Sequence, residues 1–128
     1  NTIMQAGHHT LRLMAMGHEE RAPTDDELRL MQDLLDEALQ AGALGLSSGL
    51  FTTPGGYAST QEMIALCHVL RRYGAGYASH IRDEANRVFE AVQEAITIGE
   101  QCDIHVQIAH LKLSGTDNWG GAEKLRES

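Results

Sequence analysis

Apolar residues recur every three or four positions in several stretches of this chain, a spacing typical of the buried face of a helix. Thr24 precedes the first stretch, and Glu27 three positions later completes a capping box, which predicts a helix start. Gly42 supplies the stop at the other end. The apolar face of this helix is predicted to consist of Leu28, Met31, Leu34, Leu35, Ala38 and Leu39.

The same spacing predicts further helices downstream. One begins after Ser59, whose capping-box partner is Glu62, and the next starts near Asp83 and fades at Gly99. A fourth helix is predicted after Gly121, at the end of the chain.

Short apolar runs bounded by glycine or polar residues separate the helices, at residues 2–6, 43–46, 76–81 and 104–111. Such runs alternating with amphipathic helices are typical of βα units in a parallel sheet. The predicted fold class is therefore α/β, with residues 1–128 in one domain and no second domain. Ligands in such folds bind at the carboxyl ends of the strands.

Composition narrows the possible partners. The chain has 128 residues and a formal net charge of -8, without the basic cluster of a nucleic-acid surface, so we expect no nucleic-acid partner. It contains no run of about 18 consecutive apolar residues, which argues against a membrane-spanning helix. Cys67 and Cys102 are too few for a disulfide framework and favour a reducing, cytoplasmic location.

Two matching segments carry the candidate chemistry, YASHIR at residues 77–82 and QIAHLK at residues 107–112. Each places a histidine near a strand end and a basic residue two positions later, which predicts that both side chains share one side of the strand. We expect His80 and His110 to lie in the same register on neighbouring strands, about 4.8 Å apart, and to converge on one ion. Neutral imidazole is a good zinc ligand. The alternative is that each histidine only orders its own strand end.

The other histidines are weaker candidates. His8 and His9 follow the first strand and are predicted to lie in a solvated loop, with a pocket lining as the alternative. His18 is predicted to lie in a polar loop, and His68 on a helix surface. His105 begins its strand at the opposite edge of the sheet, so we expect a structural role.

Four motifs in order, with an NWG tail at 118–120, resemble those of the N-acyl-D-amino-acid deacylases, or D-aminoacylases, of the amidohydrolase superfamily. The resemblance runs over residues 2–121. The motifs are GHHTLR at 7–12, GALGLSSGL at 42–50, YASHIRDE at 77–84 and QIAHLK at 107–112.

The resemblance implies a zinc-dependent (β/α)8 TIM-type barrel that hydrolyses N-acyl-D-amino acids to a D-amino acid and a carboxylic acid. The chain would supply about half of that barrel, roughly the third to sixth βα units. Within the family pattern His80 and His110 bind zinc, and Lys112 contacts the carboxylate of the substrate. Two departures, His9 for a small residue and Ala109 for a serine, leave these positions intact.

The family's other metal ligands and its catalytic aspartate have no counterpart here, so the general base is expected outside the chain. Because the chain also opens at Asn1 inside an apolar run, we expect it to be a piece of a larger protein. In isolation we expect it to lack activity, and to associate with itself or with the rest of the barrel. The alternatives are a cyclic amidase similar to hydantoinase or dihydroorotase, or a non-catalytic α/β module.

Overall fold

The computed structural model describes residues 2–121, 123 and 126. Its centre is a four-stranded sheet in which neighbouring strands are parallel and follow chain order, so the predicted α/β class is confirmed. The helices contact one another in the same order. The elements are β1 (Ala6–Gly7), α1 (His8–Met16), α2 (Asp25–Gln40), β2 (Gly45–Gly49), α3 (Thr60–Arg71), β3 (Gly76–His80), α4 (Val88–Cys102) and β4 (Val106–Ile108), with 3₁₀ turns at Gly55–Tyr57 and Thr116–Asn118.

The core lies between one face of the sheet and the helices. Leu46 of β2 and Tyr77 of β3 are paired in register and buried on that face. The residues that follow them, Ser47 and Ala78, are also paired and point the other way, where they are only half-buried. The helix-side face is therefore packed, and the opposite face stays accessible. Strand β2 requires glycine at position 45, because a Cβ on Gly45 would lie 2.4 Å from the carbonyl oxygen of Gly76 on the paired strand β3.

The caps and stripe predicted for the helix after Thr24 are confirmed in α2. Thr24 and Glu27 form the full capping box, and the chain leaves the helix at Gly42 with a φ of 104°. That conformation favours glycine. The buried stripe of this helix consists of Met31, Leu35 and Leu39.

Helix α1 was not predicted, and the loop expected at His8 and His9 is wrong. The N-cap residue of α1 is Gly7, which offers no side-chain hydrogen bond to the first turn. That first turn also contains no acidic residue. The start signals that identified the other helices are therefore missing. His8 is 1% exposed in the structure rather than solvated.

Other boundaries differ from the predictions for local reasons. Helix α4 begins at Val88 rather than near Asp83, because the Asp83 Oδ1 accepts hydrogen bonds from the backbone N–H groups of Ala85 and Arg87 and forms a turn first. It continues past Gly99 to Cys102. The predicted strands at 2–6 and 104–111 are shorter than expected. Strand β2 starts within its predicted run at 43–46 and extends past it to Gly49. The helix predicted after Gly121 lies outside the described residues, apart from two isolated positions.

In the part of the chain that the structure describes, no helix is both long enough and apolar enough to cross a membrane.

A buried charge cluster joins α1 to α3. The carboxylate of Glu62 accepts hydrogen bonds from His8 Nε2 at 2.8 Å and from an Arg12 guanidinium nitrogen at 2.6 Å. All three residues are at most 3% exposed. Ser59 caps the backbone N–H of Glu62 as predicted, but the Glu62 side chain does not reach back to Ser59 as a capping-box partner would. The two groups from α1 occupy that carboxylate instead.

The two hydrogen bonds decide the ionisation of Glu62. Burial alone raises its pKa, but the hydrogen bonds from His8 and Arg12, together with the charges of these partners, outweigh burial and hold the pKa below its usual value of 4.5. The carboxyl group is therefore ionised at neutral pH and compensates the buried guanidinium.

Replacing Glu62 with glutamine should destabilise the fold by about 3–5 kcal/mol, because the buried Arg12 loses its counter-charge. Urea unfolding monitored by circular dichroism measures the loss. Glu27→Gln is the matched control, since Glu27 pairs with Arg21 at the exposed start of α2, and it should cost clearly less. Equal losses in the two variants would contradict a stabilising role for the buried cluster.

The contribution of Glu62 should also depend on pH in one direction. Because its folded pKa is lowered, its stabilisation is fully present above the usual pKa of 4.5 and is lost as pH falls through the folded value. The stability difference between the wild type and Glu62→Gln should therefore narrow in the acid range. Unfolding midpoints at neutral and acid pH test this, and a difference that stays constant would argue against an ionised Glu62.

Candidate metal centre

His80 and His110 come together at the carboxyl ends of β3 and β4. His80 is the last residue of β3, and His110 follows β4 by two residues. Their ring centroids are 4.4 Å apart, and the ring planes meet edge to face at 81°. The predicted convergence of the two imidazoles is confirmed.

The expected common register is wrong. Ser79 pairs with Ile108, and the Ala109 N–H donates to the Ser79 carbonyl, so His110 lies one residue farther along its strand than His80 does. Strand alternation alone would turn His110 toward the helices. Its φ of 40° lies in the left-handed region and breaks that alternation. A non-glycine residue in that region is strained, and such strain is concentrated at functional sites.

A third group, the carboxylate of Glu84, completes the cluster. Glu84 is 5% exposed and lies between β3 and α4. Its Oε1 accepts a hydrogen bond from His110 Nδ1 at 3.0 Å, and its Oε2 lies 3.6 Å from His80 Nε2. The sequence pattern gives this residue no role, because it predicts that a helix starts near Asp83. One feature of the sequence does point to Glu84: it is a carboxylate four positions after the candidate ligand His80, in a stretch without helical periodicity.

This cluster brings together the kinds of atoms from which a metal site is built. One ligand atom from each of His80, Glu84 and His110 lies within 4.8 Å of the others. The His80 Nε2 atom is buried and has no hydrogen-bond partner among the residues that the structure describes. An unsatisfied buried nitrogen is costly, and a metal ion would satisfy it. Imidazole and carboxylate donors together suit zinc.

Lys112 lies beside this cluster, on the same side as His110. Its ammonium contacts the Glu84 carboxylate and lies 3.3 Å from His110 Nδ1. The side chain is half-exposed, so it remains accessible to a ligand. A positive charge is thus placed within a few ångströms of the candidate metal ligands.

Arg82 does not join the site, although it was predicted to share the side of His80. Its guanidinium donates to the Glu94 carboxylate at 2.8 and 2.9 Å and to the Ala58 carbonyl at 2.8 Å. The strand ends at His80, so alternation no longer directs the residues beyond it, and the carboxylate on α4 holds the guanidinium.

The remaining histidines lie outside this cluster. His8 is used in the buried contact with Glu62, and His9 donates from Nε2 to the Gly49 carbonyl at 2.8 Å. His18, His68 and His105 are exposed, as the predictions of a loop, a helix surface and a strand start imply.

An aromatic side chain borders the site on the β2 side. Phe51, just after β2, stacks on the His80 ring with centroids 5.8 Å apart and is 59% exposed. It gives the accessible face of the cluster one apolar wall.

Both cysteines are buried and free, in α3 and α4. Burial raises the pKa of the Cys67 thiol, so it stays protonated at neutral pH. A protonated thiol is a poor nucleophile and a poor metal ligand.

No family model matches the chain. Individual proteins do match it. It is 49% identical over 121 residues to an N-acyl-D-aspartate deacylase, and 41% identical over 120 residues to a D-aminoacylase, both from Alcaligenes xylosoxydans xylosoxydans. Each match covers 94% of this chain but only 24% and 25% of the relative, so the chain spans about a quarter of their length.

Solved structures are similar over the same region. A D-aminoacylase described as defining a novel subset of amidohydrolases superposes with a TM-score of 0.91 and 40% identity, over 94% of this chain and 26% of that one. An N-acyl-D-glutamate deacylase from Bordetella bronchiseptica superposes with a TM-score of 0.92 and 38% identity, over 99% of this chain and 27% of its own. That enzyme was solved with zinc and a phosphonate that mimics the tetrahedral intermediate, and another D-aminoacylase structure is described by its binuclear metal centre.

Proposed function

Because this chain belongs to the N-acyl-D-amino-acid deacylase family of amidohydrolases, as its motifs predicted, we propose that it is the metal-binding segment of a zinc hydrolase. The enzyme cleaves the amide bond of N-acyl-D-amino acids to give a D-amino acid and a carboxylic acid. The observation that carries the proposal is the convergence of His80 and His110 at neighbouring strand ends, with a buried, unpartnered nitrogen on His80.

The donor set indicates what the metal does. His80 and His110 would hold a zinc ion, which would supply a Lewis acid for the amide carbonyl and a water molecule whose pKa is lowered to near neutrality. His80 offers Nε2, which is free of protein partners in the described residues. His110 offers Nε2 as well, since its Nδ1 is hydrogen-bonded to Glu84.

Lys112 recognises the substrate. In an N-acyl amino acid the α-carboxylate is separated from the scissile amide by a single carbon atom, so a carboxylate-binding cation has to lie close to the metal. The Lys112 ammonium, 3.3 Å from the His110 ring, meets that requirement. A cation that binds a free carboxylate also favours linear N-acyl amino acids as substrates over the cyclic amides that the alternative activity would use.

The proton acceptor of the reaction belongs to the part of the enzyme outside this chain. Within the described residues the cluster contains one carboxylate, Glu84, and both of its oxygens are bound by donors from His110 and Lys112. A carboxylate paired in this way is unsuited to take a proton from water. The chain therefore supplies metal binding and carboxylate recognition, and needs the remaining barrel for turnover.

Removing either histidine should lower zinc occupancy and activity together in the full-length enzyme. We expect His80→Ala and His110→Ala to weaken zinc binding by more than the roughly 10–100-fold that loss of an outer-shell partner costs. Zinc content after dialysis and kcat/KM on an N-acetyl-D-amino acid measure the effect. His68→Ala and His105→Ala, at exposed positions, are the controls and should leave both unchanged. Full zinc content in His80→Ala or His110→Ala would refute the metal assignment.

Removing the charge of Lys112 should impair substrate binding and spare the metal. Lys112→Met keeps the length of the side chain, and losing a charged hydrogen bond of about 1.5–3 kcal/mol lowers kcat/KM roughly 10- to 150-fold. Zinc content should not change, and the uncharged carboxamide of the substrate should be hydrolysed at the wild-type rate.

Arg71→Met is the matched control for Lys112, because Arg71 forms an exposed ion pair with Asp103 at the far end of α3. It should leave the ratio of acid to carboxamide hydrolysis unchanged. If Lys112→Met also kept that ratio, Lys112 would not be the carboxylate-binding residue.

A further inference from the structure

We propose that Glu84 is a positioning residue whose single carboxylate sets both the imidazole of His110 for metal binding and the ammonium of Lys112 for the substrate carboxylate. The inference rests on the proposed function and assigns a role to the one member of the cluster that the sequence motifs left without one. It makes Glu84 a partner of the metal ligands rather than a ligand itself.

Both oxygens of Glu84 are occupied by donors. Oε1 accepts from His110 Nδ1 at 3.0 Å, and Oε2 accepts from the Lys112 ammonium. The third contact, to His80 Nε2, is 3.6 Å and too long for a hydrogen bond. A metal ion on either oxygen of Glu84 would share that oxygen with a proton donor. On Oε2, the oxygen nearest His80, that donor is the Lys112 ammonium, whose positive charge repels a cation bound beside it.

The backbone fixes the position of this carboxylate. The Glu84 carbonyl accepts a 2.7 Å hydrogen bond from the Ser114 N–H, and the Asp83 side chain closes the following turn through the N–H groups of Ala85 and Arg87. Glu84 is thereby held from both sides, although it lies outside any helix or strand. A group fixed in this way can orient other groups, because it does not move with them.

The contact with His110 decides which ring nitrogen faces the metal. A carboxylate only accepts, so Nδ1 carries the proton in its hydrogen bond to Glu84 and the lone pair is on Nε2. The Lys112 ammonium near the same Nδ1 is then held by Glu84 and not by the ring. Metal-binding histidines commonly donate their second N–H to a carboxylate, which fixes the tautomer and the ring orientation. This support matters here, because the left-handed backbone of His110 alone does not fix the ring.

The contact with Lys112 places the cation relative to the same ring. A lysine side chain has four rotatable carbon–carbon bonds, and the half-exposed Lys112 would otherwise sample many positions. Pairing with Glu84 holds its ammonium 3.3 Å from His110 Nδ1. The distance between the metal site and the carboxylate-binding charge is therefore set by one residue.

Glu84→Gln in the full-length enzyme separates this role from simple charge removal. The amide keeps one acceptor oxygen and turns the other into an N–H₂ donor, so it can serve His110 or Lys112 but not both. We expect a 10- to 100-fold rise in the zinc dissociation constant. With zinc at saturation, we expect a higher KM for the N-acyl-D-amino acid and an unchanged KM for its carboxamide.

Two further variants complete the design. Glu84→Asp keeps both acceptors on a shorter side chain and should recover part of the loss in both measurements. Glu94→Gln removes a carboxylate of similar burial, which lies on α4 and holds Arg82 away from the site. This control should change neither the zinc affinity nor the ratio of acid to carboxamide hydrolysis. Circular dichroism first establishes that each variant folds. If Glu84→Gln does not fold, the changes in zinc affinity and KM of Glu84→Asp decide whether the proposal holds.

Three results would overturn the proposal. Wild-type zinc affinity and KM in both Glu84 variants would show that the carboxylate positions neither group. A zinc-loaded wild-type structure in which a Glu84 oxygen lies about 2.0–2.2 Å from the metal would make Glu84 a ligand. Changes in zinc affinity and KM equal to those of the control Glu94→Gln would show that Glu84 only stabilises the fold. A wild-type enzyme that neither binds zinc nor hydrolyses N-acyl-D-amino acids would instead refute the proposed function.

Discussion

The site depends on one buried carboxylate that joins the ends of two neighbouring strands. Glu84 holds His110 through one oxygen and Lys112 through the other. The sheet alone would not bring these groups together, because β3 and β4 are offset by one residue at the histidines. The left-handed backbone of His110 corrects the direction of its side chain, and the carboxylate then fixes the ring. Strand pairing sets the approximate position of the site, and local contacts set its geometry.

A second buried carboxylate, Glu62, does comparable work for the scaffold. It binds His8 and Arg12 and joins the first helix to the third. The two carboxylates differ in how exposed their partner residues are. The partners of Glu62 are fully buried, so their contacts only stabilise the fold, whereas His110 and Lys112 are half-exposed and accessible to ligands. The same pairing chemistry supports packing in one place and, in the function proposed here, binding in the other.

Sequence reasoning predicted what depends on local periodicity and caps. The stripe and stops of α2 and the parallel sheet followed from spacing alone. The meeting of His80 with His110 was predicted as well, but from a common register that the strands do not have. It failed where a residue's partner is distant along the chain. Glu62 matched a capping-box pattern locally, but contacts 50 and 54 residues away took its side chain. Glu84 lies in a turn that resembled the start of a helix, and its partners are 26 and 28 residues away. Helix α1 was missed because it has no capping side chain.

The most direct test of this account is a crystal structure of the full-length, zinc-loaded protein, with anomalous data at the zinc edge. The account predicts a zinc peak about 2.0–2.1 Å from a ring nitrogen of both His80 and His110. It also predicts that Glu84 stays hydrogen-bonded to His110 Nδ1 and outside the coordination sphere. A zinc peak away from these two imidazoles would contradict the account.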